Sequence, residues 1–132
     1  MPDVTIYAGD SDDSGKSLRK ILKQLNHKVE EIEACAVIST DGLIKAELLG
    51  ENIDHDRFGA MCASLLSLAK QAAIDTARGE LKLVLIDGNA GSMLVVQIGQ
   101  KGVLALSTKS EAKLGMVFLE ARNVAKQLAE IL

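Results

Sequence analysis

Aromatic side chains are almost missing from this chain: two Phe, one Tyr and no Trp make up 2% of its 132 residues. A surface that binds unpaired bases needs rings to stack them on, so single-stranded nucleic acid is a poor candidate for the main partner. A surplus of positive charge is missing as well. The formal net charge of -3 argues against duplex phosphate and gives an acidic substrate little attraction. Cysteine is sparse, and neither Cys35 nor Cys62 stands in a Cys-x-x-Cys or Cys/His pair, so both read as buried thiols of a reducing cytoplasm. No stretch approaches the roughly 18 apolar residues of a membrane span. The opening Met-Pro-Asp-Val-Thr-Ile-Tyr also lacks a basic region followed by a long apolar run, so a cytoplasmic protein with no membrane span is expected.

What is abundant is aliphatic. Apolar residues make up 48% of the chain, and with so few rings the core has to be built from Leu, Ile, Val and Ala. The length suits one domain that needs no disulfide or metal to hold it. Residues 1–14 contain Asp3, Asp10, Asp12 and Asp13 and no base, and are expected to be an acidic N-terminal tail or, through Val4 to Tyr7, an extra strand. From Gly15 the charge reverses, with Lys16, Arg19, Lys20, Lys23 and Lys28 and no acid up to residue 28. Leu18, Ile21, Leu22, Leu25 and Val29 recur there at helical spacing, and Ser14 or Ser17 is placed to cap the helix.

The stretch from Ala34 to Leu48 then reads as a hairpin. Ala34 to Ser39 is apolar almost throughout and predicts a strand covered on both faces at the sheet centre. Leu43 to Leu48 alternates and predicts a strand at the margin, and Asp41-Gly42 suits the turn between them. Asn52 or Asp54 can cap a long helix from His55 to Arg78, with Gly79 as its stop. Phe58, Met61, Cys62, Leu65, Leu68, Ala69 and Ala72 form the arc expected to face the sheet. Gly59, Ala63, Leu66, Ala73 and Ala77 continue the apolar surface on one flank with mostly small residues, which admits a second helix at close range. Strands at Leu81 to Ile86, Met93 to Ile98 and Val103 to Ser107 with short turns predict an antiparallel meander, and a last helix is expected over Glu111 to Leu132. Together these predict an α+β fold over residues 15–132, a three-layer α/β/α sandwich around a five-stranded antiparallel sheet in the order α-ββ-α-βββ-α.

Chemistry-bearing patterns fail one by one. Gly9 to Ser17 imitates a phosphate loop, but five residues separate its glycines where four are needed, and three of the five are aspartates that repel phosphate. Asp10, Asp12, Ser14 and Gly15 imitate the start of a calcium loop whose twelfth position is Ile21 instead of Glu. Asp54-His55-Asp56 reads as a capped helix start, not a metal site, and no Gly-x-Ser-x-Gly elbow exists. Catalytic residues, cofactor and metal are therefore all expected to be none.

Three ordered segments resemble the Roadblock / dynein light chain family. They are Ala36-Val-Ile-Ser-Thr-Asp-Gly-Leu, the helix from Phe58 to Ala73, and Leu114-Gly-Met-Val-Phe-Leu-Glu-Ala-Arg122. The resemblance implies a homodimer in which third strands pair edge to edge and second helices pack antiparallel. On this sequence the implied interface is Leu81, Leu83, Val84, Leu85 and Ile86 together with Gly59, Ala63, Leu66, Ala73 and Ala77. It further implies a non-enzymatic adaptor or scaffold that regulates or anchors a small Ras-like GTPase, and Ala60, Ser64, Ser67, Gln71 and Arg78 are the candidate partner surface. The alternative is a structural light chain that clamps a larger assembly without affecting GTPase turnover. The acidic first 14 residues are not part of the family pattern.

Overall fold

Four apolar side chains at three- and four-residue steps, Leu18, Leu22, Leu25 and, just past the helix end, Val29, are buried along one face of the first helix, α1 (Asp13–Lys28), in the computed structural model, which describes residues 13–132. The helix starts two residues before the expected point, so Ser14 and Ser17 lie within it and neither stands before its first turn. The possible extra strand at Val4 to Tyr7 and the opening residues of the two imitated loops lie outside the described residues.

Next comes a hairpin of β1 (Ile32–Ser39) and β2 (Ile44–Leu48). Its turn is tightened by Gly42 N–H donating to Ser39 O at 3.0 Å, and of the Asp41-Gly42 pair Gly42 alone takes a positive φ, 88°. A type I turn followed by one left-handed residue is a common three-residue hairpin loop, so the dipeptide works here through its glycine. Helix α2 (His55–Asp75) follows, capped by Asp54, whose side chain accepts from Arg57 N–H at 3.2 Å. Strands β3 (Leu83–Gly88), β4 (Gly91–Ile98) and β5 (Gly102–Thr108) make the expected meander. Helix α3 (Leu114–Ile131) closes the described chain. It begins three residues later than predicted, because Glu111 takes a φ of 66°, outside the helical region.

All five strands are antiparallel in the order β2-β1-β5-β4-β3, which gives the predicted α-ββ-α-βββ-α sandwich. The middle strand is β5, not β1. Both are interior, and both bury nearly every residue because helices cover the two faces. On one face α1 and α3 enclose a core that includes Leu22, Val37, Leu104, Leu106, Val117 and Leu128. On the other, α2 alone covers a smaller core of Ala36, Ile38, Ile44, Cys62, Leu66, Val95, Val103 and Ala105.

Glycine sets how closely α2 lies on this second face. A Cβ added at Gly59 would stand 2.3 Å from Gly42 O, and one added at Gly42 would stand 3.3 Å from Ala60 Cα. Turn and helix therefore meet backbone to backbone. Gly59→Ala should cost about 1–3 kcal/mol by forcing the two apart, read as a lowered midpoint in urea at unchanged slope.

Candidate partner-binding surface

The inner face of α2 differs from the arc expected on the sheet. Buried are Gly59, Cys62 and Leu66, whereas Met61 is exposed and Leu68 is 69% exposed. The expected arc carries the larger side chains. The close approach at Gly42 favours the small residues instead, so the helix is turned. Phe58 remains half-buried against the lower core, and Met61, Leu65, Leu68 and Ala72 form an outward flank.

The other predicted interface positions divide in the same way. Ala63 and Ala73 are half-buried and Ala77 is exposed. Strand β3 starts at Leu83, two residues later than predicted, so Leu81 is not a strand residue and packs half-buried against the lower core. Val84 faces that same core and Leu83 the core under α1 and α3. By alternation, Ile86 stands on the α2 side and Leu85 on the other, and both are exposed, Leu85 by 47%. Ala60, Ser64, Ser67, Gln71 and Arg78 are all exposed on the outer side of the helix. Two of them are tethered: Gln71 Nε2 donates to Asp75 Oδ1 at 2.7 Å and Arg78 Nε donates to Thr76 O at 2.9 Å.

The two margins of the sheet are protected unequally. Strand β2 is five residues long, carries Lys45 and Glu47, and has the outward carbonyl of Glu47 capped by Arg19 Nη1 at 3.2 Å. Strand β3 carries the apolar run Leu83 to Ile86, and among the described residues no side chain donates to or accepts from its backbone. Edge strands of that kind are templates for pairing with another chain unless charge, bulge or cover blocks them. Beside β3, a groove of about 400 Å³ runs between it and the last turns of α2, lined by Ala69, Ala72, Ala73, Lys82 and Val84. A wider open cleft of about 870 Å³, lined by Lys70, Ile74, Ala77, Glu80, Leu81 and Gln97, lies on the other flank of the helix. Both spaces lie alongside the helix.

Nothing in this region is arranged as a nucleophile. Burial pushes both the Cys35 and the Cys62 thiol up to about 12, with Glu47 adding to the effect at Cys35. Neither is a thiolate at neutral pH. Among the described residues no cluster of three or more His, Cys, Asp or Glu is placed to hold a metal, and no helix is long and apolar enough to cross a membrane.

A family model described as the Roadblock/LC7 domain matches residues 20–108. The chain belongs to that family. A relative in sequence, the uncharacterized protein MJ1340 of Methanocaldococcus jannaschii, is 29% identical over 109 residues, 83% of this chain and 94% of the relative. In structure the Roadblock/LC7 chain is similar to MglB in a tetrameric arrangement, with a TM-score of 0.82, 18% identity, and 99% of this chain and 96% of that one covered. It is also similar to a Roadblock/LC7 domain from Streptomyces avermitilis, with a TM-score of 0.78, 21% identity, and 85% and 94% covered. At these identities the structural likeness establishes the fold.

The end of α2 departs from the usual pattern of such helices. Arg78 N–H donates to Ala73 O at 2.8 Å and Ala77 N–H to Ile74 O at 3.0 Å, the paired bonds of a Schellman cap. Its left-handed position, φ 56°, is held by Ala77, while the predicted stop, Gly79, lies two residues beyond. A side chain there costs about 1 kcal/mol. Ala77→Gly should raise stability by about 0.5–1 kcal/mol, visible as a higher melting temperature.

Proposed function

We propose that this Roadblock/LC7 chain is a non-enzymatic homodimeric adaptor that regulates or anchors a small Ras-like GTPase. The observation that carries the reading is the continuity of exposed apolar side chains from the α2 flank to the bare edge of β3. Met61, Leu68 and Ile86 are exposed on the α2 side of these two neighbouring elements and Leu85 on the other face of the same edge, while the opposite margin of the sheet is capped by Arg19. A second copy offers matching chemistry to both parts at once, pairing β3 with β3 and the α2 flank with its own symmetry mate. Gly59 and Leu66, already covered by the chain's own hairpin and sheet, support that interface from beneath. Ala63, Ala73, Leu83 and Val84 line its inner margin, whereas Ala77 lies on the other flank of the helix, in the wider cleft.

The outer row Ala60, Ser64, Ser67, Gln71 and Arg78 points away from the sheet and stays accessible in such a dimer, which makes it the proposed GTPase surface. Family membership supports a protein partner of this class. A chain of this kind acts by holding its partner, so any influence on nucleotide turnover works through the partner's own machinery.

Light scattering at micromolar concentration should return twice the chain mass of 14.0 kDa. A monomer would overturn the dimer. Leu66 is unsuited to a disruptive test because a charge there would break the fold, whereas Leu68→Glu alters an exposed side chain. It should weaken dimerisation by about a hundredfold, because the carboxylate would be buried unpaired at the interface, while circular dichroism stays helical.

For the GTPase surface, Ser64→Glu with Ser67→Glu should lower affinity for a candidate Ras-like GTPase by about tenfold and leave the dimer mass unchanged. Altered GTP hydrolysis or nucleotide release on adding the wild type would mark a regulator. Binding with unchanged rates would mark an anchor or a light-chain clamp, and no binding would remove the GTPase from the reading.

A further inference from the structure

Charge is distributed very unevenly between the two helical layers. Helix α1 carries five of the fifteen Lys and Arg residues, and Asp13 at its first position is its one acid. At about 100° per residue, Lys16, Lys20 and Lys23 fall on the arc opposite the buried Leu18, Leu22 and Leu25, and all three are exposed. Helix α3 lies beside α1 on the same face of the sheet and turns Arg122 and Lys126 outward in the same way. Of the acids on these two helices, Glu120 is paired with Lys28 at 2.8 Å, which leaves Glu130 as the exposed acid of α3. Across the sheet, α2 is balanced, with Asp56 and Asp75 against Arg57 and Lys70, and Glu51 and Asp54 precede it. The basic face therefore belongs to one layer of a chain whose net charge is -3.

Two large apolar side chains share that face. Met116 and Leu119 stand exposed in the first turns of α3, Leu119 by 58%. From this combination we infer that the outer face of the α1/α3 layer docks reversibly on an anionic lipid surface. Lysine dominates the patch on α1, and its compact ammonium on a flexible stem suits a diffuse layer of headgroup phosphates. The fixed forks of arginine would suit carboxylates on a shaped protein surface better. A basic face with a few apolar side chains gives peripheral adsorption without a membrane span, each base near the surface adding attraction and the apolar pair adding contact with the acyl boundary. In a dimer paired through β3, antiparallel pairing of a continuous sheet sets both α1/α3 layers on one side. Two such faces would then meet one membrane together and bind more tightly than either alone. The proposed GTPase surface on α2 would face away from the lipid.

Co-sedimentation with phosphatidylcholine vesicles, with and without about one third phosphatidylglycerol, tests this. The protein should pellet with the anionic vesicles at low salt, leave them as salt is raised, and ignore the neutral ones. Combining Lys16→Glu, Lys20→Glu and Lys23→Glu should lower affinity on the order of a hundredfold with the circular dichroism spectrum unchanged. Leu119→Ser should lower it about fivefold at fixed salt, a loss that a purely ionic attraction would not show. Failure to pellet with anionic vesicles, or pelleting that the triple change leaves intact, would overturn the inference. So would stronger retention on polyglutamate beads than on vesicles, which would assign the face to an acidic protein.

Discussion

The contact between Gly42 and Gly59 sets the geometry on which the α2 side of the molecule depends. A hairpin turn and a helix cannot normally approach backbone to backbone, because a Cβ on either side would hold them apart. Here the space for one is taken by Gly42 O, 2.3 Å from where a Cβ on Gly59 would stand. With that contact made, the rotation of α2 follows. Gly59, Cys62 and Leu66 turn to the sheet, and Met61 and Leu68 turn out. The same contact brings the helix low over the hairpin, where it lies against all five strands. One helix so placed covers a small core, and the exposed side chains along β3 remain uncovered.

The asymmetry of the sandwich has the same origin. Two helices share the upper face and bury a long list of aliphatic side chains between them, so that layer is closed by the chain itself. The lower face has one helix, which buries three of its own residues. The two edges repeat this contrast: β2 is short, charged and capped by Arg19, whereas β3 is apolar and open. One face and one edge are finished within the chain. The other face and the other edge meet along a line, and their backbone and apolar side chains stay open there.

Much of this was legible in the residues. Strand and helix types, their order and the antiparallel meander followed from hydrophobic period and turn chemistry, because these signals are local. The pairing of β1 with β5 joins segments far apart in the chain, so nothing local marked β5 as the middle strand. The rotation of α2 was misjudged for a related reason. Two apolar arcs compete on that helix, and size alone favours the one with Leu and Met. What decides between them is the approach of Gly42, a residue outside the helix. The start of β3 was placed two residues early because Leu81 is apolar and half-buried, but it serves the lower core from the loop. The family resemblance points to α2 and β3 as interface elements, and the structure divides the residues of those elements between buried and exposed positions.

Charge completes the division of labour between the layers. Opposite faces of a thin sandwich can carry different potentials, since the apolar core keeps their charges apart and each set is screened by its own solvent within about 10 Å. The Lys28–Glu120 pair bridges α1 and α3 at 2.8 Å, but with the lysine largely exposed it contributes little to stability. Its larger effect is on the field. It neutralises Glu120 together with Lys28, and Lys16, Lys20, Arg122 and Lys126 remain exposed on the two helices. A net negative chain can in this way keep a positive face, which neither composition nor total charge would reveal. The phase of two helices reveals it, once the fold has placed them side by side.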